Sequence, residues 1–268
     1  MPTGLSLHLG LNHVDPDAYG GWDGQLLACE NDARDMAALA RASGFDATVL
    51  LTSECTVENI TAAFRAAAAR LSAGDILLFT YSGHGGQLPN LKDSDDEPDD
   101  LDETLVFYDR EFLDDELNRE LARFDDGVRR ISLLDSCHSG SAIELPSEEP
   151  GHTPRMMPVY KQREIYERDK AAYQAIQREL RADRGDGRPA DALLISACQD
   201  NQFASDGPVN GKFTGTLLKV WDGGAFDDGG YREFHRAILR RMPSSQSPNL
   251  YLSGSPAPEF LRERPFTV

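Results

Sequence analysis

His84 and Cys137 are the side chains of this sequence whose setting best suits covalent chemistry. The apolar run 75–80 leads into Tyr81-Ser82-Gly83-His84-Gly85-Gly86, and the run 128–134 leads into Asp135-Ser136-Cys137-His138-Ser139-Gly140. A thiolate is the attacking species in Cys chemistry, and a free Cys is only slightly ionised near neutral pH, so a neighbouring imidazole helps to generate it. Cys137 is therefore assigned as nucleophile and His84 as the base that later protonates a leaving amine. The glycines around His84 leave the backbone open to close approach, which makes the N–H groups of Gly85 and Cys137 natural donors to a developing oxyanion. A lone Cys after a strand is more often a buried small hydrophobe. Here Ser136, Ser139 and Gly140 predict an exposed turn instead. His138, adjacent in sequence to Cys137, points elsewhere and is read as a loop residue.

The elements that must position these groups alternate between apolar runs and helical patterns. That alternation predicts an α/β fold with a mainly parallel central sheet and helices on both faces. Strands are expected at 5–11, 48–51, 75–81, 128–134, 192–197 and 249–252. Helices are expected at 31–43 with a stop at Gly44, at 56–71 with Thr56 as N-cap, and at 213–221 and 231–242. In open α/β sheets reactive groups gather beyond the carboxyl ends of the strands, where His84 and Cys137 both lie. One domain spanning 1–268 is expected, with a larger region 1–140, a connecting loop and helix 141–190, and a smaller region 191–268. Two stretches break the regularity: the acidic run 93–103, and the segment 141–189, which carries nine basic residues from Arg155 to Arg188.

The chain has 268 residues, 40% hydrophobic and 27% charged, as expected of a globular protein with a sizeable core. A net charge of −18 argues against sequence-independent nucleic-acid binding and serves general solubility. Cys29, Cys55, Cys137 and Cys198 are too few and too scattered for a disulfide scaffold, and no CxxC pair points to zinc. No signal peptide or membrane span is read from the sequence, so a cytoplasmic, monomeric protein with no membrane partner is expected.

The separation 137 − 84 = 53 matches the spacing in caspases, whose His lies about 50 residues before the Cys. The chain resembles the caspase-like cysteine peptidases, specifically the metacaspase and orthocaspase branch. Besides the His and Cys motifs, residues 27–33 (Leu-Ala-Cys-Glu-Asn-Asp-Ala) are similar to that family's G-C-x-N-D-A segment, with Ala28 in place of Gly. Residues 113–117 (Leu-Asp-Asp-Glu-Leu) resemble its D-D-E-L stretch, and 196–202 with 211–214 resemble its small-subunit region. The resemblance covers nearly the whole chain and implies a caspase-like fold with a Cys–His dyad and no organic cofactor.

Substrate preference is read from charge. Caspases carry a Gln two residues before the Cys and basic groups in the pocket; Asp135 stands at that position here, and Asp32 lies in the matching loop. Two carboxylates in a partly dry pocket favour Arg or Lys before the scissile bond and disfavour Asp. The resemblance implies a pocket lined by Cys29, Asp32, Ser82 and Asp135. Asp32 could equally serve the dipole of its own helix. The acidic run suits Ca²⁺ but not an EF-hand, since Pro98 falls at the Gly position and Thr104 at the final Glu position. The resemblance implies calcium ligands at Asp99, Asp114 and Asp115; a solvated charged loop is the simpler alternative.

The expected activity is thus endoproteolysis of proteins or peptides after Arg or Lys. Self-processing is expected within 155–188, first at Arg155, Lys161 or Arg163, because a tethered loop has a high effective concentration at its own site. Residues 164–180 look helical and are poorer substrates. Two alternatives stand beside this: a catalytically silent caspase-fold binding module, and a related cysteine amidohydrolase acting on small amides.

Overall fold

A computed structural model describes residues 1–91, 101–137, 153–183, 191–199 and 202–268. Its central sheet has six strands: β1 (Gly4–Gly10), β2 (Asp46–Leu51), β3 (Ile76–Ser82), β7 (Arg129–Asp135), β8 (Ala192–Ser196) and β9 (Asn249–Ser253). They lie in the order β2-β1-β3-β7-β8-β9. Every neighbouring pair is parallel except β8 with β9.

Successive side chains of a strand point to opposite faces, and both faces of this sheet are buried. On one face Ile76, Leu78, Ile131, Leu133, Leu193 and Ile195 pack with Met36 and Leu39 of α1 (Cys29–Ala42). Leu217 of α5 (Lys212–Trp221) and Phe234 of α6 (Tyr231–Leu239) join the same layer. On the other face Leu5, Leu7, Leu9, Leu77, Phe79 and Tyr81 meet Ile60 and Phe64 of α2 (Val57–Ala68). Leu117 and Leu121 of α3 (Asp114–Leu121) complete that layer. The helices on both faces leave every residue of β1 and β3 buried, the polar ones included.

Several local signals are realised as read. The Thr56 side chain accepts from the Asn59 N–H and caps α2. Gly44 follows α1 with φ of +94°, a conformation that favours glycine. The structure also adds an antiparallel sheet of β4 (Gly85–Pro89), β5 (Leu101–Val106) and β6 (Glu111–Leu113), and a last short helix α7 (Pro258–Arg262). Helix α4 runs Val159–Asp183 and so begins ahead of the helical pattern expected from Glu164.

The register of β3 and β7 sets the site. Ser82 and Asp135 are direct partners at the carboxyl ends of these adjacent strands. His84 and Cys137 are each the second residue beyond that pair, so two parallel strands bring both to the same end of the sheet, although no hydrogen bond joins the two side chains. Among the described residues no helix is long and apolar enough to cross a membrane.

Candidate active site

His84 is buried, and its Nε2 lies 3.0 Å from the Gly24 carbonyl oxygen. A carbonyl accepts only, so Nε2 carries the proton and Nδ1 keeps the lone pair. Nδ1 is buried and has no hydrogen-bond partner among the described residues. The Trp22 ring stands over the imidazole with centroids 4.9 Å apart. Burial lowers the His84 pKa to about 4, against a smaller upward pull from the Gly24 and Met156 backbones. The imidazole is therefore a neutral base at neutral pH.

Cys137 is fully buried. Its Sγ accepts from the Ala204 N–H and lies 3.3 Å from the Gln202 carbonyl oxygen and 2.8 Å from Cys198 Sγ. Burial, with Cys198 beside it, pushes the thiol well above its ordinary pKa. The resting pair is a neutral thiol and a neutral imidazole.

Both of the expected oxyanion donors converge on one atom. The N–H of Gly85 donates at 3.0 Å, and that of Cys137 at 3.1 Å, to the carbonyl oxygen of Arg155. The chain around Arg155 is extended and held on both sides. Arg155 N–H donates to Ala204 O and Asp206 N–H donates to Thr153 O, each at 2.9 Å, with Pro154 and Ser205 forming an antiparallel bridge. Past the carbonyl, Met157 N–H donates to Gly85 O at 2.9 Å, and Met156 bridges Gly85 in parallel. Strand addition of this kind fixes a peptide by its main chain and leaves side-chain pockets to choose its sequence.

The side chain of Arg155 fills the acidic pocket. Its Nη2 lies 2.7 Å from Asp32 Oδ2 and 2.9 Å from Asp206 Oδ1, and its Nη1 lies 2.9 Å from Asp135 Oδ2. Ser82 Oγ accepts from Nη1 at 2.8 Å and donates to Asp32 Oδ2 at 2.7 Å. Thr214 fixes Asp135 through its N–H and hydroxyl, and Gly211 N–H fixes Asp32. Burial opposes the charge on Arg155, but Asp135, Cys29, Asp32 and Asp206 outweigh it and hold the guanidinium protonated. Burial raises Asp32 to about 6 against the pull of Arg155, and raises Cys29, at the start of α1, to about 12.

Cys29, Asp32, Ser82 and Asp135 are thus gathered around one guanidinium. Asp206, Gly211, Gly24 and Trp22 were missed. Asp206 is a lone acid in a loop between two stretches that were recognised, and Trp22 sits among glycines at 20, 21 and 24, a composition that could have flagged a site loop. Of the expected processing positions, Arg155 lies extended in the cleft, whereas Lys161 and Arg163 lie on α4. Lys161 is buried, with Nζ on Gly20 O and Glu164. Asp114 and Asp115 open α3, where Asp114 Oδ1 accepts from the Asp115 N–H. Asp99 and His138 lie outside the described residues. Among the described residues no three His, Cys, Asp or Glu side chains are gathered to hold a metal.

The caspase-domain family profile matches residues 13–263. The chain belongs to the caspase-domain family. Within it the chain is similar to metacaspase-1 of Mycosarcoma maydis, at 30% identity over 93% of this chain and 70% of the relative. It is 31% identical to metacaspase-1A of Aspergillus fumigatus over 79% of this chain. That match takes in 58% of the fungal protein, so the chain spans little more than half of such relatives. The crystal structure of protein GSU0716 from Geobacter sulfurreducens matches all of this chain and 99% of its own, with TM-score 0.88 and 46% identity. Caspase-1 of Spodoptera frugiperda, at 12% identity and TM-score 0.59, shares the fold. The chain is therefore a metacaspase-like caspase domain, with the mainly parallel sheet of that fold.

Proposed function

We propose that this caspase domain is a cysteine endopeptidase that cuts after basic residues and cuts itself after Arg155. The observation that carries the reading is the pose of 153–157: main chain paired on both sides, carbonyl oxygen between two N–H groups, side chain among three carboxylates. A substrate would need each of these features. In the reaction Cys137 gives its proton to His84 Nδ1, and Sγ attacks the carbonyl carbon of the scissile peptide. The carbonyl oxygen becomes an oxyanion between the N–H groups of Gly85 and Cys137. His84 returns the proton to the leaving amine as the peptide C–N bond breaks, leaving a thioester. Water, deprotonated by His84, then hydrolyses the thioester and frees Cys137.

A second reading, a silent binding module, draws on the burial of Arg155 and the raised Cys137 thiol, which describe a closed site. Arg155 Nε and Asp135 Oδ1 nevertheless make no hydrogen bond among the described residues. A permanent internal cation would be expected to have its donors satisfied, so the incomplete pairing favours an exchangeable occupant. Titration with an acylating inhibitor that carries a basic side chain separates the readings: a stoichiometric burst supports the peptidase, and no burst supports the module. Weak Ca²⁺ binding through Asp99, Asp114 and Asp115 is proposed as well, resting on the acidity of 93–103 and on the metacaspase resemblance that picks out these three residues.

A further inference from the structure

The structure assigns Gly211 and Asp206 as the residues that make this pocket select arginine over lysine, an inference that rests on the basic-residue reading above. A Cβ built on Gly211 would stand 2.5 Å from Cζ, Nη1 and Nη2 of Arg155 alike. Equal distances to three atoms of one plane place that point over the face of the guanidinium. The guanidinium therefore lies flat against the bare Gly211 Cα. The backbone there (φ −58°, ψ 153°) is open to any residue, so it is the space and not the conformation that requires glycine. Gly211 cannot easily retreat, because its N–H donates to both Asp32 oxygens at 3.0 and 3.2 Å.

Asp206 supplies the third carboxylate and is equally fixed. Its Oδ2 accepts from the Leu27 N–H at 2.6 Å, and its Oδ1 accepts from the Ala28 N–H at 3.3 Å, just ahead of α1. Its own N–H holds the Thr153 carbonyl oxygen, so one residue grips both the main chain and the side chain of the occupant. The acceptors are divided between the two ends of a fork: Asp32 and Asp206 meet Nη2, while Ser82 and Asp135 meet Nη1. A planar guanidinium reaches both groups at once. A lysine ammonium is a single compact point that serves one group and leaves a buried carboxylate on the other side without its cation. A flat slot also fits the thin plane better than a tetrahedral head.

The test compares otherwise identical fluorogenic peptides ending in Arg, Lys or Asp, using the active wild-type chain, Gly211→Ala and Asp206→Asn. The wild type should favour Arg over Lys by at least about ten-fold in kcat/KM. Gly211→Ala should lower Arg cleavage on the order of 100-fold, mostly through KM, and lower Lys cleavage much less. Asp206→Asn should narrow the same ratio. In the wild type, n-butylguanidine should inhibit more tightly than n-butylamine, which decides the matter if the variants do not fold. Equal cleavage after Arg and Lys, or variants that lower both alike, would overturn the assignment while leaving basic specificity intact. Cleavage after Asp or neutral residues with no basic peptide cut would instead overturn the underlying reading.

Discussion

Arg155 Nη2 stands 2.7 Å from Asp32 Oδ2, although 123 residues separate the two along the chain. The pairing joins the segment after the nucleophile to the first turn of α1, and it gives both carboxylate and guanidinium a partner in a fully buried place. Asp32 therefore does more than face its own helix dipole. It anchors a pocket whose occupant comes from the same chain, and the acidity of the pocket and the basicity of the following segment explain one another.

Removing a pocket carboxylate should weaken turnover of basic peptides without improving that of acidic ones. Asp32→Asn or Asp135→Asn leaves a buried cation short of charge, which costs about 3 kcal/mol or more, on the order of 100-fold in kcat/KM. Steady-state kinetics on matched Arg and Asp peptides check this. Unchanged Arg cleavage by both variants would remove the pocket from substrate recognition.

Cys137→Ala should abolish turnover and His84→Ala should lose nearly as much, because the two act as a unit and their effects do not add. The protonated Nε2 on Gly24 O leaves Nδ1 as the working nitrogen. Single-turnover rates of the two variants and their double mutant check this. A His84→Ala enzyme with most of the wild-type rate at neutral pH would refute the dyad.

Activity should fall on the acid side through the pocket and not through the dyad. Asp32 titrates near 6, and above that pH its carboxylate attracts a basic side chain; as pH falls through 6 it neutralises and KM rises. His84, lowered to about 4 by burial, is still an unprotonated base at that point. The acid limb of kcat/KM for Arg peptides should thus sit near 6, and inactivation of Cys137 by an uncharged alkylating reagent should show no inflection there.

Arg155→Ala should leave the chain whole at that position and remove the cation that three buried acids share. Breaking such a set typically costs about 3–5 kcal/mol, which in a chain of this size lowers Tm by on the order of 10 °C. Differential scanning calorimetry measures it. The opened pocket should accept a basic acylating inhibitor with no lag, whereas the intact wild type should react only after a delay.

Much of this was legible in the sequence because the relevant signals are local. The apolar runs of β3 and β7 end at small residues, and their ends carry His84 and Cys137, so the sheet and the proposed dyad could be read together. The strand β4 could not, since Gly85, Gly86 and Pro89 are poor strand formers and it exists through its pairing with β5. Asp114 and Asp115 read as metal ligands, yet acids also suit the first turn of a helix, which is where both sit. Asp206 and Gly211 act only through a partner distant in sequence, and no periodicity points to a contact of that kind. Arg155 was one of three leading candidates until the extended backbone at 153–157 set it apart from Lys161 and Arg163 on α4.

The most direct test of the central claim is intact-mass and N-terminal analysis of purified wild-type protein beside Cys137→Ala, followed over time. Self-cleavage after Arg155 predicts two wild-type fragments, the second beginning at Met156, and a Cys137→Ala chain that remains whole. A wild-type chain that cuts basic peptides yet never breaks at this bond, or the same fragments in both proteins, would contradict it.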